Sequence, residues 1–274
     1  MNRKLLGKII VYTISILLAG TAMGAFFLYK NVGEEKGENE LQSEEEAAEE
    51  VSEAVGGMSQ EEMEALYDSY KGYTAEEIIS SLYTPPVDFE GMREVNQDVY
   101  AWITIPGTVI DYPILQHETD NAYYLNHNID GSYGYPGCIY TENLNSKDFT
   151  DNNTIIYGHN MKNGTMFADL HKYEDTAFLE EHDEILIYTP QKELKYKIFA
   201  AYVYDDRHLL YSFDFADSEV YEAYLESIFS IKSVDANIRS DLEITGKDKM
   251  ITLETCISSQ PEKRLLVQAV LQKT

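Results

Sequence analysis

The chain has 274 residues, 44% of them apolar, and 48 Asp+Glu against 21 Lys+Arg give a formal charge of −27. So acidic a chain is excluded as a nucleic-acid binder, which needs a basic patch to displace phosphate counterions. Two Cys are too few for a disulfide scaffold or a four-thiolate zinc site, and 16 Gly with seven Pro exclude a collagenous or wholly disordered chain.

Residues 9–29, IIVYTISILLAGTAMGAFFLY, carry no charge. A helix of that length, at ~1.5 Å per residue, just spans a hydrocarbon layer of ~30 Å. Arg3, Lys4 and Lys8 precede it, and beyond Lys30 the chain turns acidic. The positive-inside rule therefore predicts a cytoplasmic tail over 1–8, a transmembrane anchor over 9–29, and the rest of the chain outside the cell. The alternative is a cleaved signal peptide, whose apolar region is usually only about 7–15 residues long. Residues 33–64 hold 13 Glu against one Lys and no aromatic residue. Such a segment buries too little to repay its ordering entropy, so 30–58 reads as a solvated acidic stalk.

An extracellular domain is predicted over 59–274. Ser59-Gln60-Glu61-Glu62 and Thr74-Ala75-Glu76-Glu77 match the capping-box pattern and open two short helices, the second stopped by Pro85-Pro86. From there the chain turns mostly β, as its 22 Tyr also favour. Strands over 100–105 and 109–114 flank Pro106-Gly107, a hairpin turn signal. Further strands are predicted over 137–141, 154–158, 184–189, 194–204, 249–256 and 264–272. Val220, Tyr221, Tyr224, Leu225 and Ile228 stand at helical spacing between them. Eight short strands with few helices predict a mostly β domain with helical decorations, built on a closed or nearly closed barrel.

The last two strands carry the chemistry. Alternation puts Ile251, Leu253 and Thr255 on one face and Thr252, Glu254 and Cys256 on the other. Leu265, Val267, Ala269 and Leu271 likewise form one apolar face, with Arg264 and Gln268 turned away. A hairpin of these strands brings Cys256 and Arg264 to one end, both outside the core. A thiol beside a guanidinium favours the thiolate nucleophile, and an imidazole is needed to protonate the leaving group. Among six His, His159 is best placed, one residue beyond a strand end at Gly158. His171 and His182 lie in polar helical stretches and read as surface residues; His117, His127 and His208 sit in polar loops. Each feature also has a plainer reading: a structural His, an inert core thiol, an Arg paired with a carboxylate. Cys138, in Gly137-Cys138-Ile139-Tyr140, reads as a buried strand residue. No G-x-S-x-G elbow, H-E-x-x-H helix or Walker loop competes.

Taken together, Tyr157-Gly158-His159-Asn160-Met161, Thr252-Leu253-Glu254-Thr255-Cys256 and Arg264 resemble the signature blocks of sortases. Asn96 through Ile103, Ile105-Pro106-Gly107-Thr108, Asn121-Ala122-Tyr123-Tyr124-Leu125 and Gly164-Thr165-Met166-Phe167 resemble class B members in particular. The resemblance covers roughly residues 60–274 and favours the catalytic reading of the three residues. It implies an eight-stranded sortase-like barrel and a membrane-anchored cysteine transpeptidase of a Gram-positive surface. Cys256 would be the nucleophile, His159 the proton donor and acceptor, and Arg264 the group that holds the substrate carbonyl or oxyanion. Substrate contacts are implied at Glu254, Thr255, Ile257 and Ser258. The implied partners are surface-protein sorting peptides and an amine of a cell-wall precursor or pilin, with no cofactor and no metal. Two departures from the family pattern stand out. Glu254 occupies a position where members often carry a small polar residue, and its charge would disfavour the thiolate or select substrate. Ile257 follows the Cys where many members carry an acid. The competing reading is a non-catalytic, membrane-tethered β-domain that binds peptide or wall polymer; a hydrolytic cysteine protease is a third.

Overall fold

The computed structural model describes residues 83–234 and 236–272. The expected anchor, the stalk and the two capping-box helices lie outside the described residues. Among the described residues no helix is long and apolar enough to cross a membrane.

Within the unit Pro85–Thr274 the order begins with helix α1 (Phe89–Val95), then strands β1 (Val99–Thr104) and β2 (Asp111–Leu115). These strands form the expected antiparallel hairpin. Its turn needs glycine: Gly107 has φ +82°, and a Cβ there would sit 2.3 Å from His182 Nδ1. Strands β3 (Ile139–Tyr140), β4 (Asn153–Tyr157), β5 (Glu184–Tyr188) and β6 (Glu193–Asp205) follow, with helix α2 (Thr176–Glu181) ahead of β5. Helices α3 (Leu209–Ser212) and α4 (Ser218–Phe229) precede β7 (Asn237–Ile238), β8 (Met250–Ile257) and β9 (Gln260–Leu271).

The strands pair in the order β5-β1-β2-β3-β4-β8-β9-β6, and β5 pairs back onto β6. Eight strands therefore close a barrel, which leaves no open edge in the ring. The short β7 pairs with Ala200 and Ala201 of β6, beyond the stretch that β5 covers. Most neighbours are antiparallel; β2–β3 and β4–β8 are parallel. The strands expected from the sequence are all present. Strand β9 begins four residues earlier than its predicted start at 264, because the β8–β9 connection is only the two-residue turn Ser258-Ser259, with Ser259 at φ +65°. The helical stretch read ahead of His182 is present as α2, while the helices of 7 and 4 residues, α1 and α3, were not anticipated, being too short to show periodicity.

Ile103, Ile156, Ile187, Ile198, Leu253 and Val267 pack in one buried cluster with residues from every long strand. A second cluster lies on the other face of β6 and β9, where Tyr221, Tyr224, Leu225 and Ile228 of α4 meet Tyr202 and Leu266. The helix starts at Asp217, whose carboxylate accepts from the Glu219 and Val220 N–H groups. The strand face turned away from the barrel core is thus covered, and Gln268 on it is fully buried. A polar network satisfies it there. Gln268 Nε2 donates to Tyr224 Oη at 2.8 Å and to Thr252 Oγ1 at 3.0 Å, while its Oε1 accepts from Tyr202 Oη at 3.1 Å.

Gln268→Leu keeps the volume but leaves the buried Tyr202 and Tyr224 hydroxyls only their long 3.4 Å contact with each other. It should lower the unfolding free energy by about 2 kcal/mol, read from urea midpoints at unchanged m-value. A neutral variant would mean that water replaces the amide.

Candidate active site

Strand β4 runs parallel to β8, in register from Asn153 opposite Met250 to Tyr157 opposite Glu254. One further backbone bond, Gly158 N–H to Glu254 O at 3.1 Å, carries the pairing past the end of β4. Gly158 is required there by close approach, since a Cβ would lie 2.5 Å from Ile139 Cδ1 and 2.6 Å from the Phe167 ring. His159 therefore emerges at the same end of the barrel as Cys256. On the other side of β8, Cys256 stands directly opposite Arg264 of β9, just before a register shift at Ile257.

The three residues singled out from the sequence, Cys256, His159 and Arg264, line one cavity of about 240 Å³ together with Glu254, Tyr157 and Leu125. A larger groove of about 560 Å³ lies against α4, lined by Tyr202, Val220 and Ile228 among others, and holds none of the three. Cys256 is exposed. Cys138, in contrast, is buried, its Sγ lies 3.4 Å from His127 O, and burial pushes its thiol up to about 12. Neither cysteine is in a disulfide.

His159 Nε2 lies 2.7 Å from Leu125 O, and its ring packs against Tyr135 with centroids 5.0 Å apart. A carbonyl only accepts, so Nε2 carries a proton and Nδ1 is the nitrogen left to gain or lose one. Arg264 is held by its own strand: Nη1 donates to Pro261 O at 2.7 Å and to Lys263 O at 2.9 Å, both in β9. Its Nε lies 3.5 Å from Glu254 Oε1. The Nη2 group has no partner among the described residues and is the one available to a substrate oxygen.

Glu254 is neither solvent-facing nor isolated. Its side chain is 13% exposed, and burial raises its carboxyl, which the Arg264 guanidinium pulls down and Glu142 pushes up, to about 7. Behind it, His208 Nε2 lies 2.7 Å from Glu142 Oε2, while His208 Nδ1 and Tyr157 Oη are buried without a partner among the described residues. The polar-loop reading of His208 missed this pair, because Glu142 follows β3 and His208 caps α3, 66 residues apart in the chain.

The expected substrate contacts divide. Glu254 and Thr255 line the cavity, but Thr255 is buried and its hydroxyl donates to Gly158 O at 2.7 Å. Ile257 packs against the barrel core and Ser258 is exposed in the turn, and neither lines the cavity. His171, expected at the surface, is instead half-buried, with Nε2 3.2 Å from Cys256 O. Nothing local in the sequence marks that contact; it depends on how the segment after β4 folds back over β8.

The Sortase domain family matches residues 103–272. The chain is 37% identical over 186 residues to sortase B of Listeria monocytogenes serovar 1/2a, covering 67% of this chain and 74% of that protein. It is 33% identical over 187 residues to sortase B of Staphylococcus aureus strain NCTC 8325, covering 68% and 75%. Among solved structures it is similar to Clostridium perfringens sortase B, with a TM-score of 0.61 and 30% identity over 68% of this chain and 100% of that one. It is also similar to a Staphylococcus aureus sortase B–substrate complex, with a TM-score of 0.60 and 29% identity over 77% and 91%. A sortase B complexed with triglycine matches with the same TM-score of 0.60 and 29% identity over 77% and 92%.

Glu254 gives the site a pH signature that the fold itself should register. A carboxyl held near 7 in the folded state binds its proton more tightly than in the unfolded chain. Its contribution to stability is therefore complete below about pH 4 and is lost as pH rises through 7. Glu254→Gln cannot ionise, so the stability of wild type relative to the variant should fall by about 3 kcal/mol between pH 4 and 8. Urea midpoints at each pH measure it, and parallel profiles would make Glu254 an ordinary carboxylate.

Proposed function

Because the chain belongs to the sortase family, a family of cysteine transpeptidases, we propose that Cys256, His159 and Arg264 are its catalytic residues. The observation that carries the assignment is the cavity that gathers an exposed thiol, an imidazole and a guanidinium with an uncommitted Nη2.

The Cys256 thiolate attacks the carbonyl carbon that follows Thr in a sorting peptide, forming a C–S bond and a tetrahedral oxyanion. Arg264 Nη2, with backbone N–H groups near Cys256, donates to that oxygen as charge develops, where such donors act most strongly. The C–N bond then breaks, and the departing amine takes a proton from His159. A thioacyl enzyme remains. An incoming amine gives a proton to His159, attacks the thioester carbonyl and expels the thiolate, so the peptide bond lost from one chain is regained on another. Anchored Nη1 and Nε fix the plane of the Arg264 guanidinium before substrate arrives.

The donor is read as the sorting peptide of a surface protein and the acceptor as an amine of the cell wall or of a pilin. Staphylococcus aureus sortase B solved with substrate, and sortase B solved with triglycine, support a peptide donor and an amine acceptor. The uncharged run over 9–29 and its basic N-terminal flank support a single-pass anchor, with 1–8 in the cytoplasm, 30–58 as a stalk and 59–274 outside the cell.

Two experiments test this reading. With a sorting-peptide library and an added amine, wild type should yield amine-ligated products by mass spectrometry; products of water alone would make it a hydrolase. Cys256→Ala should abolish the thioacyl enzyme with the melting temperature unchanged, while Cys138→Ala stays active at a cost of about 1 kcal/mol. A dead Cys138 variant beside an active Cys256 variant reverses the assignment. Separately, the full-length chain should stay with membranes through a high-salt wash, because an apolar span is not held by charge. Release of mature protein into the medium would instead indicate a cleaved leader.

A further inference from the structure

The backbone pairing that brings His159 beside Cys256 ends one residue short of His159 and two short of Cys256. Tyr157 opposite Glu254 is the last registered pair, and Gly158 N–H to Glu254 O is the last backbone bond. Beyond it the contact is continued by side chains. Thr255 Oγ1 donates to Gly158 O at 2.7 Å, and Asn160 Nδ2 donates to Cys256 O at 3.1 Å. His159 is therefore bracketed by two neighbours, each bonded to the segment that carries the nucleophile. Its own carbonyl accepts from Phe167 N–H at 2.9 Å, and Asn160 forms a bridge with Met166, so the segment is held from the opposite side as well.

Glu254 O accepts from Gly158 N–H, so by alternation Cys256 O points to the same, β4 side of the strand, beyond the last registered β4–β8 pair. A backbone carbonyl past the end of its ladder is short of partners and needs others. Asn160 Nδ2 donates to it, and His171 Nε2 lies 3.2 Å away. Asn160 Nδ2 also lies 2.9 Å from His171 Nε2, and His171 Nδ1 lies 2.8 Å from Glu174 Oε1. The carboxylate accepts, so Nδ1 carries a proton. In the neutral ring Nε2 then accepts from Asn160, whose second amide hydrogen goes to Cys256 O. In the charged ring Nε2 itself donates to Cys256 O. Asn160 remains a donor to that carbonyl in both, and His171 fixes which way its amide faces.

Resting on the assignment of Cys256 and His159 as nucleophile and proton carrier, we propose that Asn160 and His171 are positioning residues that clamp the main-chain carbonyl of Cys256 and thereby set the thiol–imidazole geometry. Neither lines the cavity that holds Cys256, His159 and Arg264. Their effect runs through the Cys256 backbone, and a misplacement of about 1 Å at a reacting pair can cost on the order of a hundredfold in rate.

The test separates shape from hydrogen bonding. Asn160→Asp keeps the size of the side chain but replaces the amide donor with an acceptor that opposes the carbonyl. In the full-length enzyme its kcat for amine-ligated product should fall on the order of a hundredfold, with KM within about twofold and cooperative melting retained. His171→Ala should lose on the order of tenfold. His171→Gln, which still offers Asn160 an acceptor, should recover most of that loss. Wild-type kcat in Asn160→Asp overturns the proposal, as does a loss expressed in KM or in melting rather than in kcat. Equal losses in His171→Ala and His171→Gln overturn the part assigned to His171. An active Cys256→Ala enzyme would instead remove the underlying catalytic assignment, so the two failures are told apart.

Discussion

The parallel pairing of β4 with β8 joins segments 97 residues apart in the chain, and the chemistry of this protein depends on it. Closing so long a loop is entropically costly and local bonds alone would not hold it. Ile156 and Leu253 turn inward into the main cluster, while Ile155 and Met250 turn outward beneath α4. The pair is therefore buried on both faces, as parallel strands generally are. Its rigidity at that depth is what lets one backbone bond and two side-chain bonds carry alignment to the rim, where Cys256 is exposed.

Much of this was legible in the residues. Alternation in 249–256 and 264–272 correctly separated core from non-core faces, and the short connection placed Cys256 by Arg264, which the register makes direct opposites. Period-two patterning is strong wherever one face is buried, so such elements announce themselves. What alternation could not say is that the second face would also be covered. Gln268 reads only as turned away from the apolar face of its strand, yet it lies in a buried network, because its partner Tyr224 on α4 stands 44 residues upstream. His171 was misread for the same reason: its polar neighbours suggest a surface, while its partner, Cys256 O, is 85 residues away.

The two cysteines illustrate that reactivity belongs to surroundings rather than residue type. Cys138 sits in an apolar pocket with Phe89, Val99 and Leu115, where burial opposes ionisation. Cys256 projects at the end of a strand into a cavity shared with a cation and an imidazole. A buried position one residue ahead of β3 and an exposed one near the end of β8 thus give the same side chain opposite chemistries.

Glu254 is the feature least expected beside a nucleophile that must ionise. An acid on the thiol's face of the strand opposes the thiolate when charged. Burial answers part of that cost by holding the carboxyl near 7, so that close to neutrality a substantial fraction is uncharged. Arg264 answers another part, because its Nε lies 3.5 Å from the carboxylate and leaves Nη2 uncommitted among the described residues. The pairing also constrains the guanidinium: with Nη1 committed to two carbonyls of its own strand and Nε aimed at Glu254, rotation about the side chain would break three contacts at once. A small polar residue at 254 would relieve the thiol of a nearby charge but would leave that plane held from one side only. The same carboxyl that weakens the nucleophile thus orients the group that receives the developing oxyanion, and the two effects grow together as pH rises through 7.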